Sequence, residues 1–499
     1  MMRSRINIRT LVQQPPMNPR LLGLSLLCLV ILLVALSYPA RAATPSELLW
    51  QQQPFFGDLD KLRERQTLRI LVAYSRSNFF TDREQIRGFE YEHMEAFKDF
   101  LNESDPTRPV KFDYIPVPFA QLIPSLLAGK GDLIAANLTI TEQRKLQLAF
   151  STPYLNNVQE VLVSHRSSPA IKQLADLAGK SVYVRGNSSH LQRLSQLNID
   201  MTRQGLEPID IQIAAPHLAA EDLLELVNAQ AIPMVVADNH IAEIWRSVLE
   251  GLQVHSAFPL LKNGKIAWAT RYDNPKLLEK LNQFAVQLER NNNSELFQRY
   301  YQDTRWIASP LQPDNLETLG HLVDLFTRYA ERYNQDWISL AAQAYQASNM
   351  DHSKRGREGE IGIMQIPLAY QRRSDLQVGN THDLENNVHA AAKYLDYLQR
   401  SYFADPGISE QDRLFFSWAA YFAGPDKIRR VRRLAEQQGL DPNRWFDNVE
   451  LTTARSLGRQ PVDYVLGSYK YYISYRLHLD SIQLQPNDLK GIQRALTAG

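Results

Sequence analysis

The sequence has almost no cysteine, no excess of either charge, no internal repeat and no low-complexity tract. One cysteine among 499 residues excludes a disulfide framework. Lys and Arg number 55 against 54 for Asp and Glu, so the overall charge argues against a protein that binds nucleic acid. Apolar residues make up 44 % of the chain, which is typical of soluble globular domains rather than multi-span membrane proteins. The length predicts two or three domains.

One long apolar run stands at the N-terminus. Four arginines precede the run at residues 21–36, and Pro39-Ala40-Arg41-Ala42-Ala43 follows it. A basic segment, an apolar core and an Ala-x-Ala site are typical of a bacterial secretory signal. The pattern predicts residues 1–42 as the signal and places the mature protein in the periplasm or cell envelope. The alternative is an uncleaved membrane anchor, because the run is only slightly short for a span.

Residues 60–305 alternate strand and helix patterns. Alternating apolar residues predict a strand that begins at Thr67, and apolar residues at helical spacing follow at 91–101. Further strands are predicted at residues 110–114, 132–138, 180–185, 209–214 and 232–237. This βαβ order predicts largely parallel sheets covered by helices. Two such lobes place a ligand in the cleft between them, at the carboxyl ends of the strands.

Specific motifs occur in the first lobe. Gly131-Asp132-Leu133-Ile134 leads to Thr139-Ile140-Thr141-Glu142-Gln143-Arg144, and Phe150-Ser151-Thr152-Pro153-Tyr154 follows. These motifs resemble those of the periplasmic amino-acid-binding proteins that serve uptake transporters. The resemblance implies that Thr139 and Arg144 hold the α-carboxylate of the ligand, for which a guanidinium offers two fixed donors. It also implies that the stretch 264–272 returns the chain to the first lobe.

The second lobe supplies two more candidate ligand residues. Ser188 lies in Gly186-Asn187-Ser188-Ser189, which follows a predicted strand and suits the donation of backbone N–H groups. Asp238 follows the next-but-one strand, where the resemblance places an acid against the amino group of the ligand; a helix N-cap is an equally consistent role. Three histidines of this domain show no metal-like spacing: His217, His240 and His255. We therefore expect neither a metal nor a cofactor.

Residues 306–315 carry two prolines and no periodic pattern, which predicts a linker. The patterns from 316 to 485 are helical throughout. The stretch 337–367 opens with a helix pattern that places Ala341, Ala344 and Ala347 on one face. A charged loop follows, and then Gly362-Ile363-Met364-Gln365. This order resembles the start of the catalytic domain of lytic transglycosylases, the lysozyme-like enzymes that cut peptidoglycan.

Three later stretches match the same family in order. They are Asn387-Val388 with Tyr394-Leu395, Ala420-Tyr421-Phe422-Ala423-Gly424, and Tyr464-Val465 with Tyr471-Tyr472. Together the resemblances imply an α/β two-lobed periplasmic binding protein fold followed by an all-α lysozyme-like transglycosylase domain. The order of the domains resembles that of the membrane-bound lytic murein transglycosylase F family. Its pattern implies a glycan groove lined by Gln365, Met364, Tyr421 and Tyr464.

The sequence departs from the family's pattern at the residue that performs the catalytic chemistry. The family's helix ends in a Glu-Ser pair whose glutamate is the sole general acid and base, whereas this sequence reads Ala347-Ser348. Proton transfer by one positioned group is worth roughly 10²–10⁴-fold in rate, and alanine cannot supply it. Glu358 and Glu360 on the following loop are the candidates for a displaced acid. Phe422 replaces the family's asparagine, and an alanine at position 391 replaces a glycine.

Three functions from different classes are consistent with these residues. We predict a non-catalytic cell-envelope protein that binds peptidoglycan glycan strands and senses an amino acid or muropeptide through its first domain. One alternative is an active lytic transglycosylase that cleaves MurNAc–GlcNAc bonds to 1,6-anhydro products with a displaced acid. The other is a solute-binding protein for uptake, in which the helical domain serves for docking.

Overall fold

The computed structural model describes residues 53–82, 85–290, 310–372, 377–482 and 489–497. The predicted signal or anchor at residues 1–42 lies outside these ranges. None of the helices within them is both long enough and apolar enough to cross a membrane.

The first domain consists of two α/β lobes. Its elements in chain order are α1 (Leu59–Arg65), β1 (Thr67–Val72), β2 (Phe80–Asp82), β3 (Gln85–Arg87), α2 (Phe89–Glu103), β4 (Lys111–Pro116), α3 (Leu122–Leu127), β5 (Leu133–Ile134), α4 (Glu142–Lys145), β6 (Ala149–Phe150), β7 (Leu155–His165), β8 (Ser181–Val184), α5 (Ser189–Arg203), β9 (Asp210–Ile213), α6 (Ala220–Asn228), β10 (Met234–Asp238), α7 (Asn239–Arg246), β11 (Leu252–His255), β12 (Leu261–Ile266), β13 (Ala269–Thr270) and α8 (Pro275–Arg290).

The first lobe contains a five-stranded sheet in the order β4-β1-β5-β13-β6. Strand β1 runs parallel to β4 and β5. Its residues alternate between the two faces, as a strand requires: Leu68 and Ile70 pack into one buried cluster and Leu71 into another. The predicted strand at 132–138 shortens to β5. The Asp132 carboxylate binds Arg69 before the strand begins, and Asn137 adopts a φ of 52° after it.

The second lobe contains a six-stranded sheet in the order β11-β7-β10-β8-β9, with β12 also paired to β7. Strands β8, β9 and β10 are parallel, whereas β7 is antiparallel to β10. The chain returns to the first sheet through β13, which pairs with β5 and β6. This pairing confirms the predicted return of the stretch 264–272 to the first lobe.

The second domain is helical throughout the described residues. Its elements are α9 (Pro313–Arg332), α10 (Trp337–Ser348), α11 (Leu368–Gln371), α12 (Leu384–Tyr402), α13 (Glu410–Ala423), α14 (Pro425–Gln437), α15 (Glu450–Leu457), α16 (Gln460–Ser481) and α17 (Leu489–Thr497). Helix α9 begins at Pro313, within the stretch interpreted as a linker, because proline is well suited to the first turn of a helix.

Helix α10 has clear start and stop signals. The Asp336 carboxylate accepts a hydrogen bond from the N–H of Ile338 at the N-terminus, at 2.9 Å. Asn349 ends the helix in the left-handed conformation, with a φ of 57°, which asparagine tolerates better than most residues. The helix is almost entirely buried. These signals place residue 347 in the last turn.

The second lobe and the helical domain share one buried hydrophobic cluster that includes residues of α6, α7, α10 and α16. Charged side chains are buried beside it. The Lys470 ammonium of α16 lies 2.6 Å from the Asp222 carboxylate of α6. Arg76, from the first lobe, lies 3.3 Å from Asp222 and 2.6 Å from Glu225. Tyr74 donates a hydrogen bond to Asp463 of α16 at 3.0 Å. Helix α16 therefore contacts both lobes.

Candidate functional site

The last turn of α10 carries Ala347, which is half-buried. The Lys354 ammonium, from the loop after the helix, donates a hydrogen bond to the Ala347 carbonyl oxygen at 2.8 Å. A cation is favourable here because the carbonyl groups of the last helical turn have no partners within the helix. Desolvation lowers the pKa of Lys354. The backbone of Ala347, the position at which the resemblance predicts the family's acid, is therefore bound by a cation.

The turn at residues 362–365 is held by side chains from two helices. Asn387 of α12 accepts a hydrogen bond from the N–H of Met364 at 2.9 Å and donates one to the Ile361 carbonyl at 3.0 Å. Gly362 has a φ of 74°, and a Cβ there would lie 2.4 Å from the Asn387 amide nitrogen, so only glycine fits. Ser348 donates to the Ile363 carbonyl at 2.7 Å. The end of α10 and the turn at 362–365 are therefore joined by side-chain hydrogen bonds.

Three of the four residues predicted to line a glycan groove have buried side chains in the structure. Met364 is fully buried, and Tyr421 is nearly so. The Tyr421 hydroxyl donates to the Met364 carbonyl at 2.9 Å. Tyr464 is also buried. Tyr421 therefore supports the turn from within the core, and Gln365 is the predicted groove residue that remains partly accessible.

A buried polar pair lies one helical turn before Ala347 and was not anticipated from the sequence. Gln343 is fully buried, and its side-chain amide and the Tyr464 hydroxyl are neighbours that do not meet full hydrogen-bond geometry. Burial raises the pKa of Tyr464, and the Gln343 amide partly offsets this increase. The signal in the sequence was a glutamine on the apolar face of α10, four residues before position 347.

The two residues predicted to stand at the family's Asn and Gly positions differ in their surroundings. Phe422 is 46 % exposed, and its ring centroid lies 5.1 Å from that of Tyr464. It presents an aromatic face to solvent. Ala391 is fully buried in α12, so its methyl group packs in the core and does not narrow an exposed groove.

Glu358 and Glu360 are directed to their own loop. The Glu360 carboxylate accepts a hydrogen bond from the N–H of Glu358 at 3.1 Å. It also lies against Gly356, where a Cβ would be 2.1 Å from the Glu360 Oε2 atom. Glu358 is exposed. The loop therefore holds Glu360 by local contacts and leaves Glu358 in solvent.

Arg144 of the first lobe reaches the second lobe across the cleft. Its guanidinium donates to the Thr139 carbonyl at 2.7 Å and to the Asn187 carbonyl at 3.0 Å. Desolvation lowers the pKa of Arg144 to about 10. Thr139 therefore meets the guanidinium through its backbone oxygen. A second link between the lobes runs from the Ser75 hydroxyl to the Glu221 carboxylate.

The other two predicted ligand residues have partners within the protein. Ser188 caps α5, since its hydroxyl accepts a hydrogen bond from the N–H of Leu191 at 3.1 Å. Asp238 makes no side-chain cap bond to α7. Its carboxylate instead accepts from the Asn137 amide at 2.7 Å and lies 3.2 Å from His190 Nε2. Burial alone would raise the pKa of Asp238, but His190 and nearby cationic groups lower it to about 2.

A cavity of about 220 Å³ adjoins Arg144. Its wall combines apolar residues with residues that carry amide side chains: Phe119, Ala120, Ile123, Pro124, Leu138, Gln143, Arg144, Gln147, Asn187 and Gln192. The Arg185 guanidinium covers the Phe119 ring, 4.0 Å from its centroid. Residues of both lobes therefore line the cavity.

Two family profiles match the chain. The profile of bacterial extracellular solute-binding proteins, family 3, matches residues 68–303, and that of the transglycosylase SLT domain matches residues 324–442. They confirm the predicted two-lobed α/β binding-protein fold followed by a helical transglycosylase-type domain. Among solved structures, an ancestral arginine-binding protein bound to arginine is 24 % identical with a TM-score of 0.40, over 49 % of this chain and 99 % of that chain.

Relatives cover most of the sequence. A protein from Desulfosudis oleivorans named membrane-bound lytic murein transglycosylase F is 30 % identical over 393 residues, which are 77 % of this chain and 82 % of that protein. A protein of the same name from Pseudomonas fluorescens Pf-5 is 29 % identical over 440 residues, 83 % of this chain and 85 % of that protein. The chain belongs to the membrane-bound lytic murein transglycosylase F family.

Proposed function

We propose that this protein binds peptidoglycan glycan strands without cleaving them, and that its first domain senses an amino acid or muropeptide. The observation that carries the proposal is residue 347: an alanine whose carbonyl oxygen is bound by the Lys354 ammonium. No acid occupies the position from which the family's glutamate acts. The supporting contacts of Ser348 and Asn387 are complete, which supports a groove retained for binding.

The proposed glycan surface includes Gln365 and the exposed ring of Phe422. Sugar rings present apolar C–H faces that pack against aromatic side chains. Phe422 offers such a face beside Tyr464, and Gln365 supplies an amide beside the loop. A phenylalanine at position 422, in place of the family's asparagine, thus adds apolar contact area for the glycan in a domain that lacks the catalytic acid.

The purified protein is expected to sediment with insoluble peptidoglycan and to release no 1,6-anhydromuropeptides from it. Phe422→Ala should weaken the association about threefold to tenfold, because burial of part of an aromatic side chain is worth about 1 kcal/mol. Leu146→Ala is the matched control, since Leu146 is 81 % exposed on the first domain. Equal sedimentation of the parent and Phe422→Ala would contradict this surface, and no sedimentation at all would refute glycan binding.

For the first domain we propose that Arg144 meets the carboxylate of a zwitterionic amino acid or short peptide when the cleft admits it. The guanidinium is already buried at the wall of the cavity and directed across the lobes. A ligand carboxylate would replace the carbonyl oxygens that it now contacts. An ionised partner makes the stronger hydrogen bond.

Calorimetry with amino acids and muropeptides is expected to detect binding, and Arg144→Ala to weaken it by about 2–5 kcal/mol, because the ligand carboxylate would lose its charged partner in a desolvated site. Arg144→Lys should recover only part of the loss, since it keeps the charge without the two-pronged donor. Arg203→Ala, at a side chain that is 74 % exposed, is the control. Undiminished binding by Arg144→Ala would show that the ligand lies elsewhere.

Sensing requires a path from the cleft to the helical domain, and α16 supplies the contacts for one. It carries Tyr464, whose ring lies beside that of Phe422. The same helix carries Asp463, bonded to Tyr74, and Lys470, paired with Asp222. A change in the angle between the lobes would therefore act on α16 at two points. We place the protein in the periplasm or at the membrane of the cell envelope, in keeping with the predicted N-terminal signal and with the membrane-bound relatives.

A further inference from the structure

We propose that Glu160, His190 and Asp238 of the second lobe form a site for a divalent transition-metal cation, with zinc the best fit. The three side chains are buried, and one ligand atom from each lies within 4.8 Å of the others. The site shares Asp238 with the cleft but requires neither the glycan nor the helical domain. It also departs from the absence of a metal expected from the sequence.

The fold brings the three residues together from distant positions. Asp238 of β10 lies directly opposite Glu160 of β7 in the antiparallel register, and such facing pairs have adjacent side chains. His190 stands in the first turn of α5. Its Nε2 atom lies 3.2 Å from Asp238 Oδ1. Zinc bonds of about 2.0–2.2 Å separate two tetrahedral ligands by about 3.4 Å, so this pair is already spaced for a shared cation.

Glu160 provides the independent reason for a cation. Its side chain is fully buried, and neither carboxylate oxygen accepts a hydrogen bond from any described residue. A buried carboxylate without a partner is strongly unfavourable. The Arg144 guanidinium interacts with it electrostatically but directs its hydrogen bonds to the Thr139 and Asn187 carbonyls. A metal ion would supply the missing contact through a small rotation of the Glu160 side chain.

The donor set selects the class of metal. One imidazole nitrogen and two carboxylates suit zinc and related transition metals, whereas calcium and magnesium favour sites made only of oxygen. Asn137 donates to the second oxygen of Asp238 at 2.7 Å. This bond orients the carboxylate with Oδ1 toward His190, as supporting residues do around known metal sites. Asn137 belongs to the first lobe, so an occupied site would also favour the closed cleft.

The test uses the purified protein, stripped with EDTA and dialysed. Titration with zinc chloride in a calorimeter is expected to show one ion per chain and a raised midpoint of thermal unfolding, with no such effect from magnesium or calcium. Glu160→Gln and His190→Gln should each weaken zinc binding at least tenfold. His255→Gln is the matched control, because His255 is a buried histidine of the same lobe that contacts Ser164.

The thermal unfolding of Glu160→Gln, with and without zinc, separates a loss of zinc binding from a loss of folding. It removes an unpaired buried charge at constant size, so the metal-free variant should unfold at the same temperature as the parent or higher while losing the shift caused by zinc. No zinc binding, or binding unchanged in Glu160→Gln, would overturn the proposal. A third outcome is that zinc does not bind but amino acids do, and that their binding requires Glu160. The Glu160 and Asp238 carboxylates would then hold the ammonium group of the amino acid, and the metal proposal would be overturned. Sedimentation with peptidoglycan tests the proposed function separately.

Discussion

Ala347→Glu is expected to release a low level of 1,6-anhydromuropeptides from purified peptidoglycan, where the parent protein releases none above background. Ser348 and Asn387 already hold the turn in place, so the new carboxyl group would enter a complete scaffold. The Lys354 ammonium, however, lies 2.8 Å from the carbonyl oxygen of residue 347. A cation beside the new carboxyl group would lower its pKa, which would leave less of the acid form to protonate the glycosidic oxygen.

The double variant Ala347→Glu with Lys354→Met is therefore expected to be at least tenfold more active than Ala347→Glu alone. Its full gain over the parent should approach the roughly 10²–10⁴-fold that one positioned acid contributes. Products are separated by liquid chromatography and identified by mass. The matched control combines Ala347→Gln with Lys354→Met, which has the same bulk without an acid and should release nothing.

Two results would contradict this account. Anhydromuropeptides from the parent that disappear in Glu358→Gln or Glu360→Gln would establish a displaced acid. A double variant that sediments with peptidoglycan and stays inactive would show that Lys354 is not the remaining barrier. Phe422, which replaces the family's asparagine, would then be the next residue to change.

The sequence was informative about this region where the chemistry is local. The predicted loss of the acid at position 347 and the turn around Gly362 both rest on neighbouring residues. The contact of Lys354 with the Ala347 carbonyl depends on how the loop closes. The burial of Tyr421 and Tyr464 depends on the packing of helices that are distant in sequence. Periodicity alone could not separate a tyrosine that lines a groove from one that supports it.

In the cleft, too, some features could be predicted from local sequence and others depend on the tertiary fold. The spacing from Thr139 to Arg144 identified an arginine that the fold does place at the boundary between the lobes. The sequence predicts that the segment around Ser188 meets the ligand through backbone N–H groups, and the fold adds that the Ser188 hydroxyl caps α5. Glu160 has no signal in the sequence, because its role arises from its register opposite Asp238. Register between strands that lie more than seventy residues apart is fixed by the tertiary fold and has no local signature.

The ion pair between Lys470 of the helical domain and Asp222 of the second lobe is expected to have a large effect on stability. Lys470→Met is expected to lower the free energy of unfolding by about 3–5 kcal/mol, because it leaves Asp222 buried without the closest of its cationic partners. Arg76 is already shared between Asp222 and Glu225. Methionine fills nearly the same volume, so the loss would report the charge rather than a cavity. Urea-induced unfolding followed by circular dichroism measures the change.

The control is Lys262→Met, at an exposed residue of β12 in the same lobe, which should change the free energy of unfolding by less than about 0.5 kcal/mol. Adding Asp222→Asn to Lys470→Met should restore part of the loss, since the unpaired charge is removed with its partner. A change of less than 1 kcal/mol in Lys470→Met, or no recovery in the double variant, would show that the ion pair contributes little. The hydrophobic cluster shared by the second lobe and the helical domain would then be what holds α16 against the lobe.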